Sequence, residues 1–344
     1  MKPLKTGAAY HGTRMLNHVE HDMRDMAAHN MNLVVHMMSH NDWNRHYRVM
    51  KDVVAISQEA GLEVWMDNWG LGGPPGEISH FLAYYPNAHQ IYSDGTVDPI
   101  RVCMNNPDFR KFMREWIDAV KGTGATTIFW DEPQLLIRED GAYSCTCEIC
   151  RKKFEEKNGR KMPEKVDEGV KAFQMDTVVG FFEELCSYAA SKGLKNAVCV
   201  MLGEHFGVHL DTLDKLCSIE TLDNIGSDPY WGYTGVNPYE YVYKGAKKNL
   251  DFAEKFKKDH NIWIQAYATP RGREEEIVQA TEAAYDAGAR TILAWSYFAG
   301  ISNDYAAQNA YVANAKLNQA FDRIWNMERD RILQENRKMM GVIK

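Results

Sequence analysis

Short runs of apolar, β-branched and aromatic residues alternate eight times with amphipathic stretches, and no linker breaks the alternation. The runs are Ala8–Gly12, Asn32–Met37, Glu63–Asn68, Thr126–Asp131, Asn196–Leu202, Asn224–Asp228, Ile262–Tyr267 and Thr291–Trp295. A strand–helix alternation of this kind demands parallel strands joined by crossover helices. Glycine, the residue that most easily ends a helix, stands at four of the helix-to-strand junctions: Gly61, Gly124, Gly193 and Gly288. Helices are predicted over Arg45–Ala60, Asp251–Asp259 and Glu274–Ala287, each just ahead of a strand. Eight such units predict an α/β chain closed into a (β/α)8 TIM barrel, a fold that needs ~250 residues. The 344 residues are read as one domain, 1–344. The surplus falls in long loops after strands three and four, Gly70–Pro107 and Gln134–Pro163, and in a charged helical extension over about 306–344.

Composition narrows the function. The formal net charge is −7 and Lys and Arg are scattered, so the basic footprint of a nucleic-acid binder is missing. No run of ~18 apolar residues predicts a membrane span, and the opening Met1–Lys5 leads into no apolar leader, which makes the cytoplasm the default location. Homo-oligomerisation is left open.

In a barrel of this type the chemistry gathers where the strands end. Those ends carry His11, His36, Asp67, Trp69, Asp131, Glu132, Glu204, Asp228, Tyr230, Trp231, Gln265 and Trp295. Tryptophan rings stack on the C–H faces of sugars, and glycoside hydrolysis needs two carboxyl groups, one to protonate the leaving oxygen and one as nucleophile or base. The sharpest signal is Trp130-Asp131-Glu132-Pro133, because an apolar strand ending in two acids is costly unless they face a polar cavity. Glu204 and Asp228 are the further candidate catalytic acids; His11, His36, Asp67, Trp69, Tyr230, Trp231, Gln265 and Trp295 are candidates for holding substrate. His, Asp and Glu in such a ring are equally good metal ligands.

The seven cysteines, an odd number in a chain with no apolar leader, argue against a disulfide framework. Cys186, Cys199 and Cys217 lie singly in apolar segments and read as small core residues. Cys145, Cys147 and Cys150 form a C-x-C-x-x-C arrangement that suits one tetrahedral zinc, with Cys103 to complete a closed, structural site. No organic cofactor is expected.

The ordered set Arg101–Arg110 with Cys103, then the strand-four acid, then C-x-C-x-x-C with Arg151 and Phe154, resembles glycoside hydrolase family 42. The resemblance spans about residues 100 to 160. It implies the acid/base role for Glu132 and a structural zinc on Cys103, Cys145, Cys147 and Cys150. Two departures mark the chain as a divergent relative of the clan: Asp131 stands where Asn is usual, and strand seven offers Gln265 instead of a nucleophilic Glu. Glu274 to Glu276 come later and read as the first turn of a helix. The partner of Glu132 is therefore sought in Asp228, with Glu204 as substitute. Strands four and six are not neighbours, which predicts the wider, inverting separation of ~6.5–9.5 Å. Two further readings stay open, a metal-dependent sugar isomerase, epimerase or lyase and a non-catalytic sugar-binding barrel.

Overall fold

The structure is a computed structural model that describes residues 2–72, 79–132, 135–200, 210–232 and 235–340. Its strands are β1 (Lys5–Tyr10), β2 (Leu33–Met37), β3 (Glu63–Asp67), β4 (His89–Ile91), β5 (Val97–Val102), β6 (Thr127–Trp130), β7 (Lys195–Cys199), β8 (Asn224–Ser227), β9 (Asp259–Gln265) and β10 (Thr291–Trp295). The helices are α1 (Leu16–Ala28), α2 (His40–Glu59), α3 (Phe81–Tyr84), α4 (Pro107–Thr123), α5 (Glu148–Asn158), α6 (Glu168–Ser191), α7 (Leu210–Ser218), α8 (Pro238–Lys255), α9 (Glu275–Asp286) and α10 (Ala310–Met339). Strands β1-β2-β3-β6-β7-β8-β9-β10 form a closed parallel barrel, and β4 with β5 makes a separate antiparallel hairpin. The (β/α)8 TIM barrel expected from the alternation is what the chain forms, with long loops after its third and fourth strands. No described helix is long and apolar enough to cross a membrane.

Strand geometry sends successive side chains to opposite faces. One set, including Ala9, Leu33, Val35, Met37, Trp65, Phe129, Cys199, Trp263 and Leu293, fills the barrel interior. The alternate set, such as Ala8, Val34, Met66, Ile128, Val198 and Ile264, packs against the helices. The four junction glycines all adopt positive φ, from 74° at Gly193 to 108° at Gly288, which a side chain would resist.

Boundaries differ from the sequence reading where polar residues hide structure. The first strand begins at Lys5, not Ala8, because Lys5, Thr6 and Gly7 pair with Thr291, Ile292 and Leu293. Helix α2 begins at His40, not Arg45, since Ser39 and Asp42 cap it reciprocally. The helix predicted over Asp251–Asp259 is the end of the longer α8, and Lys257, at φ 55°, turns the chain into β9.

Gly7 sits where β1 meets β2; a Cβ there would fall on the backbone carbonyl of Leu33. Gly180, inside α6, has open space beside it. Gly7→Ala is therefore expected to destabilise the fold by about 2 kcal/mol or more, whereas Gly180→Ala is expected to stabilise it by about 0.5–1 kcal/mol. Urea unfolding of both variants checks the opposite signs.

Candidate active site

At the carboxyl ends of the barrel strands lies a cavity of about 210 Å³ lined by Asp67, Trp69, Phe129, Asp131, Glu132, Cys199, Asp228, Tyr230, Trp263, Tyr267, Trp295 and Tyr305. The inward parity of Phe129 and Trp263 makes the floor, and the ends of β3, β7 and β10 with the loops past β3, β6, β8, β9 and β10 supply the walls. Asp67 ends β3 and is buried; its Oδ1 accepts the Trp69 amide at 3.0 Å. Asp131 follows β6 and its amide donates to Asn68 Oδ1 at 3.0 Å, so adjacent strand ends lock together. The next residue, Glu132, shares the cavity with Asp228, just past β8, and the two carboxyls perturb each other's ionisation.

Withdrawal from water is the main cause that raises all four carboxyl pKa values. Asp67 is pushed up further by Glu132, Asp131 by Asp67, Glu132 and Asp228, and Asp228 by Glu132. For Glu132 the neighbouring Asp228 and the charge of Arg101 act the other way. Burial, helped by the charge of Asp228, pushes the Cys199 thiol up, while Cys199 itself offsets a part of the rise at Asp228. Above the acids stand aromatic rings. Trp295 lies 5.8 Å from Trp69, 4.6 Å from a perpendicular Tyr267 and 5.9 Å from Tyr305 between ring centroids.

The structure brings Asp67, Trp69, Asp131, Glu132, Asp228, Tyr230 and Trp295 together as the sequence suggested. His11 backs the cavity, its ring packed on Trp69 and Trp295, and burial lowers its pKa to about 4. Three candidates lie elsewhere. His36 faces the helices, fully buried, with Nε2 on Ser57 Oγ at 2.8 Å, because Met37 and not His36 shares the inward parity of Asp67. Trp231 packs in the outer core and donates to Glu276 at 2.8 Å. Gln265 accepts the Gly232 amide at 2.9 Å and so braces the loop after β8. Glu204 lies outside the described residues. Glu132 and Asp228 line the same cavity although their strands are not adjacent, because inward side chains from such strands converge over the barrel axis. The sequence reading left Cys199 in the core and did not select Phe129, Trp263 or Tyr305. Strand parity could have found Phe129 and Trp263; nothing in the loop around Tyr305 marks it.

The cysteine set sits to one side. Cys103 follows the β4–β5 hairpin, and Cys145, Cys147 and Cys150 come from the loop after β6 and the start of α5. All four are buried and unpaired, and their sulfurs lie within 4.8 Å of one another. Cys103 Sγ is 3.5 Å from Cys150 Sγ and 3.6 Å from Cys147 Sγ. Four thiolates at ~2.3 Å from one tetrahedral ion stand about 3.8 Å apart, so the set fits a metal. Backbone bonds join the same loops, from Ser93 N to Tyr143 O at 2.9 Å and from Thr146 N to Ile91 O at 2.7 Å.

No protein-family profile and no curated protein matches the chain. Solved structures share its fold. A β-amylase catalytic domain from Paenibacillus polymyxa superposes with a TM-score of 0.64 at 10% identity, over 92% of this chain and 97% of that one. A GH42 β-galactosidase from G. stearothermophilus gives 0.69 at 13% identity, over 94% of this chain and 57% of that one. A D-allulose 3-epimerase from Methylomonas sp. gives 0.51 at 11% identity, over 94% and 99%. Likeness at this identity establishes the barrel and nothing finer.

A carboxyl whose folded pKa is raised stabilises the fold fully below its unfolded pKa of ~4, and that contribution is lost as pH rises through the folded value. Asp67→Asn keeps the acceptor for Trp69 and removes the charge. Its melting temperature is expected to exceed the parent's at pH 8, with the gap closing towards pH 4 in a series of thermal melts. A gap independent of pH would mean the charge is not its cause.

Proposed function

We propose that the chain is a glycoside hydrolase acting on a small saccharide or glycoside, with Glu132 as general acid and base and Asp228 as nucleophile. The electrostatically coupled Glu132 and Asp228 carboxyls in one aromatic-walled cavity are the observation that carries this reading. Two carboxyls this close resist joint ionisation, so the pair holds one proton over a broad pH range. Glu132 gives that proton to the leaving oxygen while the Asp228 carboxylate attacks the anomeric carbon, forming a glycosyl ester. Glu132, now ionised, takes a proton from water; the water oxygen bonds to the same carbon and releases Asp228. The covalent route proposed here requires the retaining spacing of ~5–5.5 Å and not the inverting ~6.5–9.5 Å. Asp131, Trp69, Tyr230 and Trp295 hold the sugar, with His11 behind the two tryptophans, and Glu204 remains the substitute for Asp228.

A metal-dependent sugar epimerase is the second reading, supported by the likeness to the epimerase barrel. It needs several donors around one ion, and among the described residues the set of that kind is the four cysteines. Activity that survives strong chelation counts against it, and cleavage of any aryl glycoside removes a purely sugar-binding role.

Glu132→Gln keeps the shape and removes the proton donor. Its kcat/KM is expected to fall ~10²–10⁴-fold on alkyl glycosides and much less on activated aryl glycosides, whose leaving groups need little protonation. Equal losses on both would assign Glu132 another role. Asp228→Ala is expected to abolish turnover, with azide restoring it as a glycosyl azide; near-normal activity in Asp228→Ala would move the partner to Glu204.

The cysteine set is proposed to hold one structural zinc on Cys103, Cys145, Cys147 and Cys150. The ion would tie the two long loops together. Cys147→Ser is expected to lower both metal content, from one zinc per chain, and melting temperature. Elemental analysis finding no zinc in protein purified without chelator would overturn the assignment.

A further inference from the structure

Hydrolysis as proposed uses two of the four carboxyl groups in the cavity. Asp67 and Asp131 remain, both lining it; burial and the charge of Glu132 oppose ionisation of each, and Asp67 also opposes that of Asp131. Among the described residues no lysine or arginine lines the cavity. The sequence at 73–78, 133–134, 201–209 and 233–234 contains none either, so those segments cannot supply a cation of that kind. Arg101, whose charge reaches Glu132, is ion-paired with Asp98 at 3.1 Å. His11, behind the wall, is neutral at pH 7.

Two surplus carboxylates held away from water are expensive unless something positive meets them. The walls suit a cation too, since the faces of Trp69, Trp295 and Tyr267 attract positive charge. An independent sign that the cavity is shaped for a polar occupant is Trp263. It lines the floor at 2% exposure, and its indole N–H has no partner. A purely apolar occupant would leave that donor unsatisfied, whereas a sugar hydroxyl or ring oxygen accepts from it.

We propose that the bound sugar carries an unacylated, protonated amine, seated between Asp67 and Asp131 beside Trp69. That the ligand is a sugar rests on the hydrolase reading; that it is cationic rests on the cavity. The ammonium supplies donors to both carboxylates, and the rings take the sugar's C–H faces. N-acetylation removes the charge and adds bulk, so the acetylated sugar is excluded.

Calorimetric titration of the wild-type protein with glucosamine, galactosamine and mannosamine tests this, each beside its parent hexose and its N-acetyl derivative. At least one amine is expected to bind about tenfold or more tightly than its parent and its acetylated form. In Asp131→Asn, and separately in Asp67→Asn, that advantage is expected to disappear while the melt stays cooperative. Parent or acetylated sugars binding as well as the amines, or no amine binding at all, would overturn the proposal; these comparisons need only wild-type protein. Assays with aryl glycosides separate the two readings. Cleavage of neutral glycosides without amine preference leaves the hydrolase standing and removes the cation, whereas amine binding without cleavage of any glycoside does the reverse.

Discussion

The pairing of β1 with β10, from Lys5↔Thr291 to Ala8↔Ala294, is the contact on which the arrangement depends. It closes a sheet that would otherwise expose two edges, and it forces all eight barrel strands to end on the same rim. Residues far apart in sequence, such as Asp67, Glu132, Asp228 and Trp295, meet only because that ring is shut. The close approach at Gly7 lets β1 sit against β2 while holding β10 on its other side.

Closure also explains why acids of similar sequence setting differ in surroundings. Inward side chains at the upper ends of β3, β6 and β8 converge on the axis, so Asp67, Asp131, Glu132 and Asp228 feel one another as well as the loss of water. Acids one parity step away, or further along a loop, escape this. Glu276, in the first turn of α9, is held below the usual range by Arg273 and Trp231 despite partial burial, and its role is to brace Trp231. Among the described residues, carboxyl groups with raised pKa values are thus confined to the mouth.

Much of this was legible in the sequence because barrel strands advertise themselves by apolar runs and by glycine at the preceding helix stop. The pair Asp131-Glu132 and the acid at Asp228 were visible for the same reason: each breaks an apolar run at its end. What failed was facing. His36 and Trp231 look like mouth residues by position, but a one-residue change of parity or a turn in the loop sends them to the helix layer. The distance between Glu132 and Asp228 was not legible, because strand order says nothing about how far inward side chains reach. Tyr305 escaped notice because it lies in a turn with no periodicity to read.

The hairpin loop after β3 and the loop after β6 share backbone bonds as well as the cysteine set, with Gln90 accepting from Ser144 Oγ at 2.6 Å between them. They also sit over the two strand ends that carry Asp67 and the Asp131–Glu132 pair. Neither loop is therefore a free accessory to its own strand. A graft that moves one of them onto another barrel would carry half an interface and leave buried thiols exposed. Transplanted together they form a cassette, and recombination between related barrels would preserve the pair only with a crossover before residue 70 and another beyond residue 150.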